Sequence, residues 1–418
     1  MVLVWGYFYG ILRANFPAAG AHFIFDCSLV GFYAGTARVL LSDKTLRLQP
    51  LRIWVALLIT WPCLVCFFPF QPFIVSVVGL RGAIFFLPML LVGALLADED
   101  LRMVGIALAC LNLAALTFAI AEYLLGVQSF YPRNPTTELI YNSNDVAGYK
   151  YLRIPATFVA SHVFGGTMNS SLPIIIGLWV QRNIGARTRL LASLGLTAAL
   201  VGVLLSTTRV NLIIAAVVAL SMLFSPEIGR KGKSVLLLLL AGAVIFSAGN
   251  ERTSRYKSLG DTSGVTDRIH GSVNDTFWEV IHDHPLGNGL GGGGTSMPYF
   301  LADLVREPVV VENEFGRLAL ELGIFGLLLW VCFIIYFITC SAFRARSAWR
   351  AGRISGWVYV SFVWSTSFIG LGTLTAIPQT ALLLLVMGWV IARPLGALVA
   401  QTPGHVEDPA VSELHSYA

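Results

Sequence analysis

The stretch Val311–Trp330 reads VENEFGRLALELGIFGLLLW and marks the point where the longest polar segment of the chain meets a strongly apolar one. Such a change predicts the start of a helix, whose free N–H groups favour acidic side chains in the first turn. Glu314, Arg317 and Glu321 are three and four residues apart, so they share one helical face. The pattern predicts a capped helix with an internal ion pair, at a depth where charges face a bundle interior or a water-filled cavity.

The composition predicts a membrane protein and excludes a soluble globular one. Hydrophobic residues make up 56% and charged residues 12% of the 418 residues, and the mean hydropathy is +0.74. Apolar windows of about 20 residues predict roughly eleven spans. They lie at about 18–41, 53–69, 82–97, 103–125, 156–179, 190–205, 210–225, 234–248, 316–340, 354–371 and 377–392.

We therefore expect an all-α integral membrane protein, a single domain over 1–418 with about 11–12 transmembrane helices. The apolar segment Met1–Leu12 is too short to cross alone and could be an interfacial helix or part of a twelfth span. No basic region precedes it, so we expect no cleavable signal. At 393–418 we expect a short, disordered cytoplasmic tail.

Basic residues cluster in four short connections that all fall on one side of these spans. By the positive-inside rule that side is cytoplasmic. The segment 251–314 falls on the other side and holds ten acidic residues against five Lys and Arg, a net charge of −5. We therefore predict that it is extracytoplasmic. The basic connections contain Lys44, Arg47 and Arg52; Arg182, Arg187 and Arg189; Arg230, Lys231 and Lys233; and Arg344, Arg346, Arg350 and Arg353.

The large extracytoplasmic loop, at 249–315, is expected to contain short helices. Apolar residues recur at helical spacing in 273–281, and a second short helix is plausible in 297–305. Between them His282–Gly294 reads HDHPLGNGLGGGG. No Gly-Lys-Ser/Thr closes this segment, so it is not a phosphate-binding P-loop. Its glycines instead allow backbone to pass close to other backbone or to a ligand.

Metal and disulfide chemistry are not indicated. His282 and His284 would project poorly from one helix, and Pro285 favours a turn beside them, so they make no convincing zinc site with His270. The six cysteines all lie in apolar runs, where packing accounts for them without a structural disulfide.

Two arginines on the extracytoplasmic side run against the charge rule and need an explanation. Arg153 lies at the mouth of the fifth predicted span, and Arg209 lies in a tight turn between the next two. Interfacial snorkelling is one explanation for Arg153. The alternative is an anion site, since a guanidinium binds phosphate oxygens bidentately and stays charged.

Three pieces of the sequence resemble the bacterial family of O-antigen ligases and polymerases. Glu312-Asn313 is followed by nine residues and then Gly323-Ile324-Phe325-Gly326, which resembles the family's acid-or-His, Asn and Gly-x-x-Gly pattern at the top of a membrane helix. The turn Ser206–Arg209 resembles its short arginine turn. Arg268, about one helix, and then His284-Pro285-Leu286-Gly287-Asn288-Gly289-Leu290-Gly291 resemble its large periplasmic loop. The ligases carry His where this chain has Glu312, which favours the polymerases.

The resemblance implies a metal-independent glycosyltransferase of the C-type fold in the bacterial inner membrane, with its active site facing the periplasm. It would join polyprenyl-diphosphate-linked oligosaccharide repeat units into an O-antigen or exopolysaccharide. The implied catalytic residues are Glu312, as the base that deprotonates the acceptor hydroxyl, and Arg268 and Arg209, as cations that stabilise the departing diphosphate. The implied substrate-binding residues are Arg153, Asn313, Arg317, Glu314, Gly287 and Gly289.

Two other functions stay open at this point. One is a ligase that transfers the glycan to lipid A–core or another acceptor; the other is a transporter or flippase of a lipid-linked or anionic solute. A transporter should carry internal repeats or broken helices near the midplane, whereas this chain has no internal repeat and its polar residues cluster on one side. We expect no cofactor, no metal and no nucleic acid. The implied partners are the undecaprenyl-diphosphate-linked oligosaccharide, the bilayer, and the flippase and chain-length regulator of the same pathway.

Overall fold

The computed structural model describes most residues of the chain. They are 1–16, 20, 23–42, 49–134, 137, 145–146, 151–181, 184–224, 228–253, 256, 276–293, 299–309, 311, 314–351, 374 and 376–392. The predicted span 354–371 and the predicted tail 393–418 lie outside them, as do Arg268, Glu312 and Asn313.

The described residues form a helical bundle with one pair of two-residue strands. The strands β1 (Asp145–Val146) and β2 (Tyr151–Leu152) pair antiparallel. Short 3₁₀ helices occur at Val127–Ser129 and Tyr299–Leu304. The α-helices are α1 (Val2–Asn15), α2 (Ile24–Ser42), α3 (Gln49–Val65), α4 (Phe73–Ile84), α5 (Pro88–Leu95), α6 (Asp98–Leu125), α7 (Ser161–Val180), α8 (Ala186–Leu205), α9 (Arg209–Leu223), α10 (Arg230–Gly249), α11 (Thr276–Asp283), α12 (Glu314–Ala351) and α13 (Gln379–Ala392).

The protein is an all-α membrane protein, as the composition predicts. Five stretches in the described residues are long and apolar enough to cross a membrane: Phe73–Leu95, Glu99–Leu125, Ser161–Val180, Ala186–Leu205 and Glu314–Phe343. Shorter apolar helices include Gln49–Val65, Arg209–Leu223 and Gln379–Ala392. Ten of the eleven predicted spans therefore coincide with helices, and the remaining one, 354–371, falls outside the described residues.

The third predicted span, 82–97, differs in its boundaries and is broken. Its helix starts at Phe73, directly after Pro72, and is interrupted between Ile84 and Pro88. Proline is tolerated in the first turn of a helix, but it has no N–H group and therefore cannot continue a preceding helix. The two pieces, α4 and α5, together form one apolar stretch of 23 residues.

The first helix packs into the bundle. Tyr7 on α1 is fully buried, and its hydroxyl donates to the Asn112 side chain on α6 at 2.7 Å. The Asn112 amide donates in turn to Ser171 on α7 at 2.8 Å. Side-chain hydrogen bonds of this kind hold membrane helices together. Helix α1 is therefore a bundle helix of 14 residues, not a helix lying on the surface.

Neighbouring helices run antiparallel, which brings many helix ends to one end of the bundle. Gly105, early in α6, packs against Leu178, late in α7. Gly202, late in α8, packs against Phe164, early in α7. The end of α6, the start of α7 and the end of α8 therefore lie together, and the start of α9 follows after a short turn.

Helices from the second half of the chain also have ends at this end of the bundle. Gly166 on α7 packs against Gln379 at the start of α13. The Asn250 amide, just after α10, donates to the Tyr123 hydroxyl near the end of α6 at 2.8 Å. We call this end, which carries the long segment between α10 and α12, the loop face. The exposed Arg187 lies at the opposite end, at the start of α8.

Candidate functional site

Helix α12 is broken near its start by Gly323. This residue has φ 69° and ψ 179°, a conformation that glycine adopts readily and other residues rarely. The break separates a short N-terminal piece, which carries the predicted ion pair, from the long membrane-crossing piece. A broken helix inside a membrane needs other partners for the freed backbone groups.

Those partners come from two other parts of the chain. The Asn288 N–H donates to the Leu320 carbonyl at 2.6 Å, and the Ile324 N–H donates to the Pro285 carbonyl at 3.1 Å. The Trp61 indole on α3 donates to the Leu322 carbonyl at 2.9 Å. The break in α12 is therefore built to receive the segment that contains Pro285 and Asn288.

We call residues 287–293 the glycine segment. It passes through the protein and not over its surface. Residues 287–293 are buried, and Leu290 is 1% exposed. Gly287 and Gly289 both have positive φ, at 85° and 82°. A Cβ atom on Gly79 of α4 would lie 2.4 Å from the Gly291 nitrogen. The segment therefore runs between α12 and α4 with backbone against backbone, and this packing accounts for the predicted site glycines Gly287 and Gly289.

Gln71, in the connection between α3 and α4, fixes the segment at the loop face. Its amide donates to the Asn288 carbonyl at 3.0 Å, and its side-chain oxygen accepts from the Arg306 N–H at 2.9 Å. The Asn288 side chain donates to the Glu307 carbonyl at 3.0 Å. Three stretches that are distant in sequence thus share one hydrogen-bond network.

Glu314, Arg317 and Glu321 form the ion-pair cluster that the spacing predicts. They are 2%, 5% and 1% exposed. Arg317 Nε donates to Glu314 Oε1 at 3.0 Å, Nη1 donates to Glu321 Oε2 at 2.6 Å, and Nη2 also donates to Glu314 Oε1. A guanidinium has five N–H groups, and among the described residues three of them have these acceptors. Two carboxylates against one guanidinium give the cluster a formal charge of −1.

The cluster touches both the glycine segment and a narrow crevice. A Cβ atom on Gly293 would lie 3.2 Å from Glu321 Oε1. Arg317 itself lines a crevice between α4, the turn that follows it, α12 and α13, together with Ala83, Phe86, Leu318 and Thr380. Apart from Arg317 and Thr380, the lining is mainly apolar.

A second crevice at the loop face contains two arginines. Its lining includes Arg153, Arg252 and Thr207, and is completed by Tyr123, Leu152, Ile154, Leu205, Asn250 and Thr253. The Arg252 guanidinium lies over two aromatic rings, 5.0 Å from the centroid of Tyr123 and 4.6 Å from that of Tyr151. Stacking of this kind orients the guanidinium. We call this group the arginine crevice.

Arg252 was not among the residues that the sequence singled out. It counted only as one of the basic residues of the large loop. The signal that could have found it is its position directly after an apolar helix, which mirrors the position of Arg153 shortly before one. Both positions place a cation at the membrane boundary on the same side.

The segment that carries Arg153 is held by buried hydrogen bonds. Ala156 has φ 51°, which is unusual for a residue other than glycine. Its N–H donates to Glu122 Oε2 at 2.9 Å, and its carbonyl accepts from the Tyr131 hydroxyl at 2.7 Å. Glu122 and Tyr131 are both fully buried. They fix the backbone three residues after Arg153.

Arg209 starts α9 directly beyond a strained turn. Thr207 in this turn has φ 51° and lines the arginine crevice. Asn211, in the first turn of α9, donates to the His162 carbonyl at 3.1 Å and so ties α9 to α7. Arg209 is partly exposed and lies two residues beyond Thr207. The structure therefore puts Arg209 at the same end of the bundle as Arg153.

The predicted site residues that the structure describes thus fall into two groups, whereas Arg268, Glu312 and Asn313 lie outside the described residues. Arg153 lines the arginine crevice together with Arg252, and Arg209 lies near it. Glu314, Arg317, Gly287 and Gly289 belong to the joint between α12 and the glycine segment. Comparison with protein-family models and with curated proteins found no match for this chain.

Proposed function

We propose that the protein is a polymerase that joins polyprenyl-diphosphate-linked oligosaccharide repeat units, with the loop face directed out of the cytoplasm. The observation that supports this best is the arginine crevice. Arg153 and Arg252 come from distant parts of the chain and line one narrow cleft at the loop face, which in this proposal lies at the outer membrane boundary. A lipid diphosphate presents its charged oxygens at that depth.

The chemistry of the reaction suits two guanidinium groups. Glycosyl transfer breaks the bond between the anomeric carbon and the diphosphate, so negative charge develops on the leaving oxygen. Guanidinium groups bind such oxygens through paired N–H donors and remain charged at any physiological pH. Donors already in position lower the barrier because they need no rearrangement during the reaction. In this proposal Arg153, Arg252 and Arg209 hold the diphosphate.

The new glycosidic bond needs an acceptor hydroxyl that loses its proton. The resemblance gives this task to Glu312, which lies two residues before the start of α12. Glu314 is a less suitable base, because its carboxylate already accepts two hydrogen bonds from Arg317. The proton then passes to Glu312 as the hydroxyl oxygen attacks the anomeric carbon and the diphosphate departs.

The buried joint has a different task in this proposal. Glu314, Arg317 and Glu321 neutralise most of their charge among themselves, so Arg317 orients the start of α12. The glycine segment locks that start against α4. Together they would fix the start of α12 relative to the membrane boundary.

Purified full-length protein in lipid nanodiscs, supplied with polyprenyl-diphosphate-linked repeat units, tests the proposal. We expect a ladder of products that differ by one repeat. Arg153→Lys and Arg252→Lys keep the charge but lose the paired donors. Each should lower the rate at which the ladder forms by at least about tenfold. Arg187→Lys, exposed at the opposite end, is the control and should match the wild type.

Other outcomes of the same experiment contradict the proposal. A single transfer to added lipid A–core without a ladder indicates a ligase. The breaks at Gly323 in α12 and between α4 and α5 are the broken helices expected of a transporter, which makes a flippase the second candidate function. Movement of intact lipid-linked substrate across the membrane without any new glycosidic bond indicates a flippase. Lysine variants with wild-type ladders remove the arginine crevice from the mechanism.

A further inference from the structure

A second group of charged side chains lies between α1, α2 and α4. Arg81 on α4 donates to Asp26 on α2 through both Nε and Nη2, at 2.7 and 2.5 Å. The Asp26 side chain is 11% exposed and that of Arg81 is 35% exposed. This bidentate pair connects α2 to α4 and is partly open to the surroundings.

Arg13 adds a cation to this pair. Its side chain hydrogen-bonds with the Tyr9 hydroxyl, and Tyr9 also interacts electrostatically with Arg81 and Asp26. Tyr9 packs against Phe25, the neighbour of Asp26, with the two ring centroids 6.2 Å apart, and Arg13 follows Tyr9 by one helical turn. Two guanidinium groups and one carboxylate give the four residues a formal charge of +1. Arg13 Nε is shielded from solvent and has no hydrogen-bond acceptor among the described residues. We call these four residues the Arg13 cluster.

The Arg13 cluster opens toward the lipid. Phe73, Ile74 and Val77 on α4 are 78%, 49% and 38% exposed, as expected for side chains that face acyl chains. Arg81 follows Val77 by four residues and so lies on the same face of α4. On α2, Cys27 is exposed and Val30 is 55% exposed, next to Asp26. The cluster therefore lies in the outward-facing groove between α2 and α4.

The position of the Arg13 cluster limits what can neutralise it. Arg13 lies in the last turn of α1 and Asp26 in the first turn of α2, so the cluster lies near the loop-face ends of these helices, and Arg81 reaches it from α4. A surplus positive charge there is costly unless it meets a counter-ion, and such charges mark paths of substrates or ions. The counter-ion that a membrane supplies beside an apolar groove is a phosphate attached to a lipid chain.

We propose that Arg13 and Arg81 bind the phosphate of a polyprenyl phosphate lipid that enters sideways between α2 and α4. This site shares no residue with the arginine crevice, which is built from α6, the β1–β2 hairpin, α8 and the end of α10. The inference rests on the proposed function and extends it: joining two lipid-linked chains requires that two polyprenyl anchors are held at once. The arginine crevice holds the donor diphosphate, and the Arg13 cluster holds the anchor of the acceptor.

Native mass spectrometry of the full-length protein in detergent tests this inference by counting bound lipids. Polyprenyl phosphate should give a two-lipid species with the wild type. Arg13→Gln and Arg153→Gln should each reduce this to one lipid, with the affinity for the lost site weakened by at least about tenfold, since a charge-assisted hydrogen bond is removed. Arg187→Gln, exposed at the opposite end, should still bind two.

Competition experiments with the wild-type protein distinguish a lipid phosphate from a free phosphate or an uncharged lipid. Polyprenol, which lacks the phosphate, and inorganic phosphate, which lacks the lipid, should not compete with the second bound lipid. Competition by either one at equal concentration overturns the assignment, as does equal competition by phosphatidylglycerol. Two lipids still bound to Arg13→Gln with unchanged affinity would also overturn it.

The outcomes distinguish this inference from the proposed function, because bond formation is not part of the measurement. Two polyprenyl phosphates bound to a protein that makes no ladder would refute the polymerase and leave the second lipid site standing. A ladder made by a protein whose lipid count does not change in Arg13→Gln would do the reverse. Arg13→Lys, which keeps the charge, should retain the second lipid with an affinity only a few-fold weaker.

Discussion

Gly287 and Gly323 meet backbone to backbone: a Cβ atom on Gly287 would lie 2.7 Å from the Gly323 nitrogen, and one on Gly323 would lie 2.7 Å from the Leu286 carbonyl oxygen. Both residues also have positive φ. The glycine segment and the Gly323–Gly326 motif, which are distant in sequence, therefore meet in one joint between the large loop and α12. A side chain on either residue would push α12 and the glycine segment apart.

Gly287→Ala should destabilise the protein by about 2 kcal/mol or more, because left-handed backbone strain and a backbone clash add together. Gly35→Ala is the matched control. Gly35 is an exposed glycine within α2, with no atom within 4 Å of a built Cβ, and alanine there should stabilise the helix by about 0.5–1 kcal/mol. Thermal unfolding of both variants in detergent measures the difference. Equal melting temperatures would mean that the joint is not formed as described.

Arg317→Met should destabilise the protein by about 3–5 kcal/mol, because it leaves Glu314 and Glu321 buried without their cation. Adding Glu314→Gln and Glu321→Gln to the same chain should restore much of that loss, since no buried charge then remains unpaired. Unfolding curves of the single and the triple variant measure both effects. A single variant that is as stable as wild type but inactive would show instead that Arg317 serves the substrate.

Glu122 offers a third test, because it is fully buried and only one of its oxygens has a partner in the described residues. Oε2 accepts the Ala156 N–H, whereas Oε1 has no hydrogen bond there. Glu122→Ala should cost about 1–3 kcal/mol, since the Ala156 N–H is left unpaired. It should also lower the rate of any reaction that uses Arg153, because the segment that carries Arg153 loses its anchor. Glu122→Gln keeps an acceptor and should be closer to wild type in both unfolding and product assays.

The helices could be predicted from the sequence because burial in a membrane depends on long apolar runs. Every predicted span within the described residues coincides with a helix, although α4 begins at Phe73 where the prediction begins at 82. The error has a physical origin. Phe67, Phe68, Pro69 and Phe70 are as apolar as a span, so hydropathy alone does not reveal that the chain turns between Val65 and Phe73.

The site was only partly predictable. The spacing of Glu314, Arg317 and Glu321 is enough to predict their ion pairs, because the contact is local to one helix. The meeting of Gly287 with Gly323, and of Arg153 with Arg252, joins residues with no periodic relation to each other. Such contacts depend on how the helices pack, which a single sequence does not specify through spacing.

Activity should not require a divalent metal, because in the proposed mechanism arginines supply the positive charge that Mg²⁺ supplies in many phosphate-handling sites. Purified protein with lipid-linked substrate should keep its rate in excess chelator. Loss of turnover that returns on addition of Mg²⁺ or Mn²⁺ would contradict this. It would direct attention to the acidic and His residues of the large loop as metal ligands.

Glu312→Gln is the sharpest test of the proposed base. The variant keeps the size of the side chain and most of its hydrogen bonding but cannot accept a proton. If Glu312 is the base, the rate should fall by about 100- to 10,000-fold, and Glu312→His should retain measurable activity because the ligases carry His at this place. If Glu312 is only a helix-terminal acid, Gln should cost at most about 1 kcal/mol of stability and leave turnover intact. Glu314→Gln is the comparison, since its effect should appear in unfolding before it appears in the rate. A Glu312→Gln variant that polymerises within a few-fold of wild type would remove Glu312 from the mechanism.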